Sequence, residues 1–259
     1  MPPKFASISF NDIIKRLLKS PYDVPCFQNL ADQYYPPHDA KLKTNDYRKA
    51  NKQQKTNLLQ EIGEKCASLP KYKDYRREDV ILMAIYDVVP TKWFKTIFGH
   101  VEKEEQLYPN VKRFLKRNFS DYKVIETYDM RSRVGIRWPD FTLVKKRTLR
   151  GYQLISFDVK TRLGAFDYFL NQAHDFSRFS DYTSLICTAG LVLELSKKER
   201  KSPSEAEELF RKNLEKRRIG LYVADAESGN IERLVDSDVS DDLDKELKNR
   251  ALRELGLIE

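Results

Sequence analysis

Residues 138–160 read WPDFTLVKKRTLRGYQLISFDVK. A Pro-Asp step leads into an apolar stretch, a basic turn, a second apolar stretch and Asp-Val-Lys. With the turn at 147–151, Phe141, Leu143, Ile155, Phe157 and Val159 share one face by the period-2 rule. Asp140, Asp158 and Lys160 fall on the other face. This register sets Asp140 across from Asp158, and facing side chains of an antiparallel pair have Cβ atoms about 4.5–5.5 Å apart. Carboxylates that close repel unless a proton or a divalent cation lies between them. Lys160 follows Asp158 by two residues and points into the same space. The stretch therefore predicts a β-hairpin holding a metal ion at its open, solvent-facing rim.

Such a rim suits phosphodiester hydrolysis. Two carboxylates supply hard oxygen ligands for Mg²⁺, which keeps several waters and binds phosphate oxygens. A bound metal lowers the pKa of its water and stabilises charge on the phosphorus oxygens. The lysine orients or helps deprotonate the attacking water, or neutralises developing charge. The backbone carbonyl of Val159, between the two side chains, is a further ligand candidate.

At Pro139-Asp140 and Asp158-Val159-Lys160 the chain resembles the PD-(D/E)xK nuclease superfamily, over residues 100–236. The resemblance implies Asp140 and Asp158 as metal ligands and Lys160 as the catalytic lysine. It implies an α/β, restriction-endonuclease-like core, a mixed sheet flanked by helices. It further implies Mg²⁺, with Mn²⁺ able to substitute, DNA rather than RNA as substrate, and a homodimer. The superfamily places a carboxylate on its leading helix; Glu102, Glu104 and Glu105 qualify, with Glu105 favoured and Glu126 as a rival. Some members carry a glutamine on the helix after the lysine, which points to Gln172 as a catalytic residue. Asp121-Tyr122-Lys123 shows how short the Asp-x-Lys element is, since no Pro-Asp hairpin precedes it.

Composition agrees with an anionic partner. The 259 residues carry a formal net charge of +8, and a hydrophobic content of 41% supports a sizeable core. Arg131, Arg133 and Arg137 form a basic loop before Pro139, and Thr161 and Arg162 leave the lysine strand; these five are the nucleic-acid-binding candidates. Cys26, Cys66 and Cys187 are scattered and odd in number, which favours a reducing compartment and excludes a zinc module. No apolar run is long enough to cross a membrane, and the first ten residues lack a signal-peptide core, so a cytoplasmic protein is expected.

Along the chain, residues 1–100 read as a helical N-terminal region. A helix is expected at 8–19, and turns across 20–40, where Pro21, Pro25, Pro36 and Pro37 fall. Residues 41–57 are basic, either a solvated helix face or a phosphate-contacting surface. Residues 54–98 read as a small helical unit, in which a helix at 79–88, a short turn and a helix at 91–98 resemble a helix-turn-helix, although Trp93, Phe94, Ile97 and Phe98 read as core residues rather than base readers. From residue 101 the expected order is helix (102–119), strand (123–128), the hairpin, helix (163–179), a buried strand (184–193), a charged helix (203–217) and two strands (219–224 and 231–235). Gln172 is read onto the polar side of its helix, with Asp175. The core ends at 236, and 237–259 form a C-terminal helical tail.

The reading is a Mg²⁺-dependent nuclease acting in defence, restriction or repair. Its rivals are a nucleic-acid-binding protein with a catalytically silent nuclease-like core, and a protein-interaction module.

Overall fold

The computed structural model describes every residue except 1–9, 73–76, 91–92, 94–95, 98–102, 131–135, 148–150, 162–165, 200, 202 and 226–227. The chain divides into two compact units, Met1–His100 with Ser202–Ser204, and Val101–Lys201 with Glu205–Glu259.

The first unit is helical: α1 (Phe10–Lys19), α2 (Asp23–Tyr34), α3 (Pro37–Lys49), α4 (Lys52–Ala67) and α5 (Arg77–Val88). The expected turns across 20–40 are instead the helices α2 and the start of α3. Pro25 falls in the first turn of α2 and Pro37 in that of α3. Backbone N–H groups there have no intrahelical acceptor, so proline removes nothing. The prolines mark helix starts rather than breaks. Asn51 and Gln54 close a reciprocal capping box at the start of α4, with bonds of 3.0 and 2.8 Å. Phe27 and Tyr47 stack at 3.8 Å between ring centroids in the core. Tyr47 Oη donates to buried Asp23 at 2.6 Å, and Lys55 pairs with the same carboxylate. Most of the 91–98 helix of the suggested helix-turn-helix lies outside the described residues. Of its apolar residues, Trp93 stacks on Tyr22 at 5.1 Å and Ile97 is fully buried.

The second unit is α/β. Six strands, β1 (Lys123–Glu126), β2 (Phe141–Arg147), β3 (Gly151–Lys160), β4 (Tyr182–Thr188), β5 (Ile219–Ala224) and β6 (Ile231–Val235), lie side by side in chain order. β1, β2 and β3 form an antiparallel meander, β3, β4 and β5 run parallel, and β6 returns antiparallel. The helices are α6 (Tyr108–Asn118), α7 (Phe166–Ser177), α8 (Ala189–Glu199), α9 (Pro203–Lys216) and α10 (Lys245–Glu254). α7 makes the crossover that parallel β3 and β4 require.

The apolar run expected as one strand over 184–193 splits: β4 ends at Thr188 and α8 begins at Ala189. Periodicity alone does not separate a buried strand from a buried helix in a continuous apolar run. The hairpin follows the alternation. Arg147 pairs with Gly151 and Phe141 with Phe157, and Gly151 takes φ +72°, the left-handed region that suits glycine.

Both faces of the hairpin are covered. Phe141, Leu143, Phe157 and Val159 pack with Leu107, Val111 and Leu115 from the α6 side. Val144 and Leu154 pack on the opposite face with Trp138, Phe176 and Phe179, and with Ala251 and Leu252 of α10. Burying a side chain such as Phe157 stabilises the fold by about 1.5–3 kcal/mol, so β3 is clamped from both sides. The C-terminal segment is part of this unit: Lys248 Nζ lies 2.7 Å from Asp181, whose carboxylate accepts from Leu154 N at 2.7 Å. Among the described residues no helix is long and apolar enough to cross a membrane.

Candidate active site

Antiparallel pairing brings the start of β2 beside the end of β3. Continuing the register one step beyond Phe141–Phe157 sets Asp140 opposite Asp158. The Pro139-Asp140 backbone is held by the residue that follows β1, because Thr127 N donates to Asp140 O at 2.9 Å and Thr127 Oγ1 to Pro139 O at 2.7 Å. One residue earlier, Trp138 Nε1 donates to Glu254 Oε2 at 2.9 Å.

The expected solvent-facing rim is an interior site. Asp140 is 8% exposed and Asp158 2%, because helices cover both faces of the sheet where the hairpin opens. Asp140 uses both oxygens: Oδ1 accepts from Tyr108 Oη at 2.5 Å and Oδ2 from Val159 N at 2.6 Å. Asp158 Oδ2 is buried and accepts no well-directed hydrogen bond. Its 2.8 Å approach to Lys160 Nζ is charge pairing. Lys160 Nζ also donates to Val159 O at 3.1 Å and stands 3.7 Å from Glu104 Oε1. The ammonium thus rests among three oxygens.

These groups shift one another. Burial raises the pKa of Asp158; nearby Asp140 and Glu104 add to the rise, and Lys160 opposes it. Burial works against the Lys160 charge, but Asp158 and Glu104 outweigh it and hold the ammonium above its ordinary value. Glu104 is raised by burial and by Asp140, against Lys160 and the Thr161 backbone amide. The Tyr108 hydroxyl is pushed up by burial and by its bond to Asp140.

Of the four glutamates weighed from sequence, Glu104 reaches Lys160. It lies in a single 3₁₀ turn, Glu104–Gln106, ahead of α6. Glu105 is exposed. Glu126 pairs with Lys112, and Glu102 lies outside the described residues. Tyr108, not anticipated as a site residue, begins α6 two residues after that 3₁₀ turn.

Gln172 is 6% exposed rather than on a solvated face. With its amide oxygen turned to the guanidinium, it accepts from Arg137 Nη2 at 3.0 Å and Nε at 3.2 Å. Arg137 Nη1 donates to Tyr168 Oη at 2.5 Å. Thr161 is buried, at 2% exposure. Arg131, Arg133 and Arg162 lie outside the described residues.

Among the described residues no group of three or more His, Cys, Asp or Glu forms a ready-made metal cluster. The donors present are nevertheless hard oxygens, which suit Mg²⁺. Asp158 Oδ2, buried and already holding a cation against it, fits such an ion. Asp158, Glu104, the Val159 carbonyl and Asp140 are the residues that would hold it. No family model, curated protein or solved structure matches this chain.

Proposed function

We propose that the chain is a Mg²⁺-dependent nuclease with a restriction-endonuclease-like core of the PD-(D/E)xK type, hydrolysing phosphodiester bonds, with DNA favoured over RNA. The observation that carries this reading is the Lys160 ammonium held among Asp158, Val159 O and Glu104 at a nearly unexposed carboxylate. Isolated charge is costly to bury, and a lysine and carboxylates gathered at one sheet end suit phosphoryl chemistry. When bound, the divalent ion supplies an acidified water and neutralises phosphate charge.

The chain's own groups do the rest. Asp140 is held by Tyr108 Oη and Val159 N, which fixes its oxygens in place. Asp158 offers Oδ2, which is paired with the Lys160 ammonium at 2.8 Å. Lys160 Nζ, beside Asp158, would orient the attacking water or donate a hydrogen bond to negative charge developing on the phosphate. The net charge of +8 draws the polyanion in. The test is incubation of plasmid and linear DNA with Mg²⁺, Mn²⁺ or EDTA. Products in metal alone support the reading, and their topology separates nicking from end resection.

The silent-binder reading is favoured by one observation: both Asp140 oxygens are already committed within the protein. On that reading the cluster is a self-contained ion pair, and DNA or RNA is bound but never cut.

A further inference from the structure

Arg137, Gln172 and Tyr168 form a small assembly that the catalytic scheme leaves unused. Arg137 is exposed, as is Tyr168 at 57%, whereas Gln172 between them is buried. Gln172 holds the guanidinium through Nε and Nη2, and Tyr168 Oη holds Nη1. A guanidinium has five N–H donors. Three are used, and two remain on Nη1 and Nη2. The tyrosine ring lies 5.6 Å from Arg137 Cζ, and its exposure leaves ring surface free. A long flexible cation is thus pinned before any ligand arrives, by an amide on a buried side chain. Exposed arginines otherwise surrender rotamer entropy on binding, and pinning removes that cost.

Resting on the proposed phosphodiester chemistry, we propose that Arg137 and Tyr168 form a nucleotide subsite, taking a phosphate on the guanidinium and an unpaired base on the tyrosine ring. Arg137 lies three residues before Asp140, and Tyr168 and Gln172 lie on α7, the first helix after Lys160, so the chain segments that carry the catalytic groups also carry the subsite. A planar fork suits phosphate. A base inside a duplex has both faces covered by its neighbours, whereas an unpaired base offers a face to an aromatic ring. The subsite therefore selects single strands, overhangs or frayed ends over duplex interior. Gln172 acts as a positioning residue for Arg137.

The test uses the full chain in EDTA, with fluorescence anisotropy on labelled oligothymidine and on a blunt duplex. Tyr168→Ala is expected to weaken oligothymidine binding about tenfold or more, within the usual range for one base–aromatic stack, and to leave the duplex near wild type. Tyr168→Phe keeps the ring and is expected to retain most of the discrimination. Gln172→Ala leaves the charge count intact, so it lowers oligothymidine affinity without changing the salt slope. Arg137→Ala lowers that slope by about one. Unchanged thermal midpoints confirm folded variants. Equal loss on both probes for Tyr168→Ala, or no loss on either, overturns the subsite. Cleavage in Mg²⁺ is scored separately: discrimination without cleavage retains the subsite and removes the nuclease, and cleavage without discrimination does the reverse.

Discussion

Lys160 Nζ lies 2.8 Å from Asp158 Oδ2, with the lysine side chain 13% and the aspartate side chain 3% exposed. The pair is buried in a cluster holding more carboxylates than cations, and Asp158 is pushed up to about 7 by burial, against the pull of Lys160. Its unfolded value is about 3.9. A group with a raised folded pKa contributes stability that is present below the unfolded pKa and lost as pH rises through the folded one. Metal-free protein should therefore lose thermal stability between about pH 4 and 7. The share due to Asp158 is the part absent from Asp158→Asn, and Mg²⁺ should restore stability near neutral pH in wild type only. Parallel melting curves for the two proteins across this range show the difference, and identical pH profiles would remove Asp158 as the cause.

Glu104 and Glu105 separate cleanly by experiment. Glu104 faces Lys160 at 3.7 Å, whereas Glu105 is exposed. Glu104→Gln should weaken Mn²⁺ binding, measured by calorimetry, and slow cleavage. Glu105→Gln should leave both close to wild type. The reverse ranking would place the leading carboxylate one residue later.

Trp138 Nε1 is bonded to Glu254 across 116 residues, and the indole is 8% exposed. Leaving a buried donor without an acceptor costs about 1–3 kcal/mol. Glu254→Ala should lower the urea unfolding free energy by that amount, while Glu254→Gln keeps an acceptor oxygen and should lose less. Equal loss in both would mean that the charge, not the bond, matters.

The hairpin was legible because its signals are local. Alternation from Phe141 to Val159 and a basic turn at 147–151 suffice for the register that opposes Asp140 and Asp158. Burial depth was not legible. Nothing within residues 138–160 indicates that α6 covers one face while α7 and α10 cover the other, so Asp158 read as a rim residue. Gln172 failed for the same reason: Asp175 suggested a solvated face, but Arg137 from a distant loop covers the amide. The choice of Glu104 over Glu105 depends on a 3₁₀ turn, which rotates side chains by a larger step per residue than an α-helix. Composition does not reveal such a turn. Pro25 and Pro37 misled because a proline in a first turn and a proline in a loop look alike in sequence.

Lys160 decides between the enzyme and the silent binder. Its ammonium is a charge partner of Asp158, not a metal ligand. Lys160→Ala should leave Mg²⁺ and DNA binding largely in place while slowing cleavage by about 10²–10³, the usual loss for one stabilising donor. Lys160→Arg should rescue poorly, since a guanidinium is wider and holds its proton. The measurement is single-turnover cleavage beside a binding titration for wild type and both variants. The account predicts metal-dependent cutting by wild type, intact binding by all three and a steep loss of rate in Lys160→Ala. Cleavage at the wild-type rate by Lys160→Ala, or no cleavage of any DNA or RNA by wild type with Mg²⁺ or Mn²⁺, would contradict it.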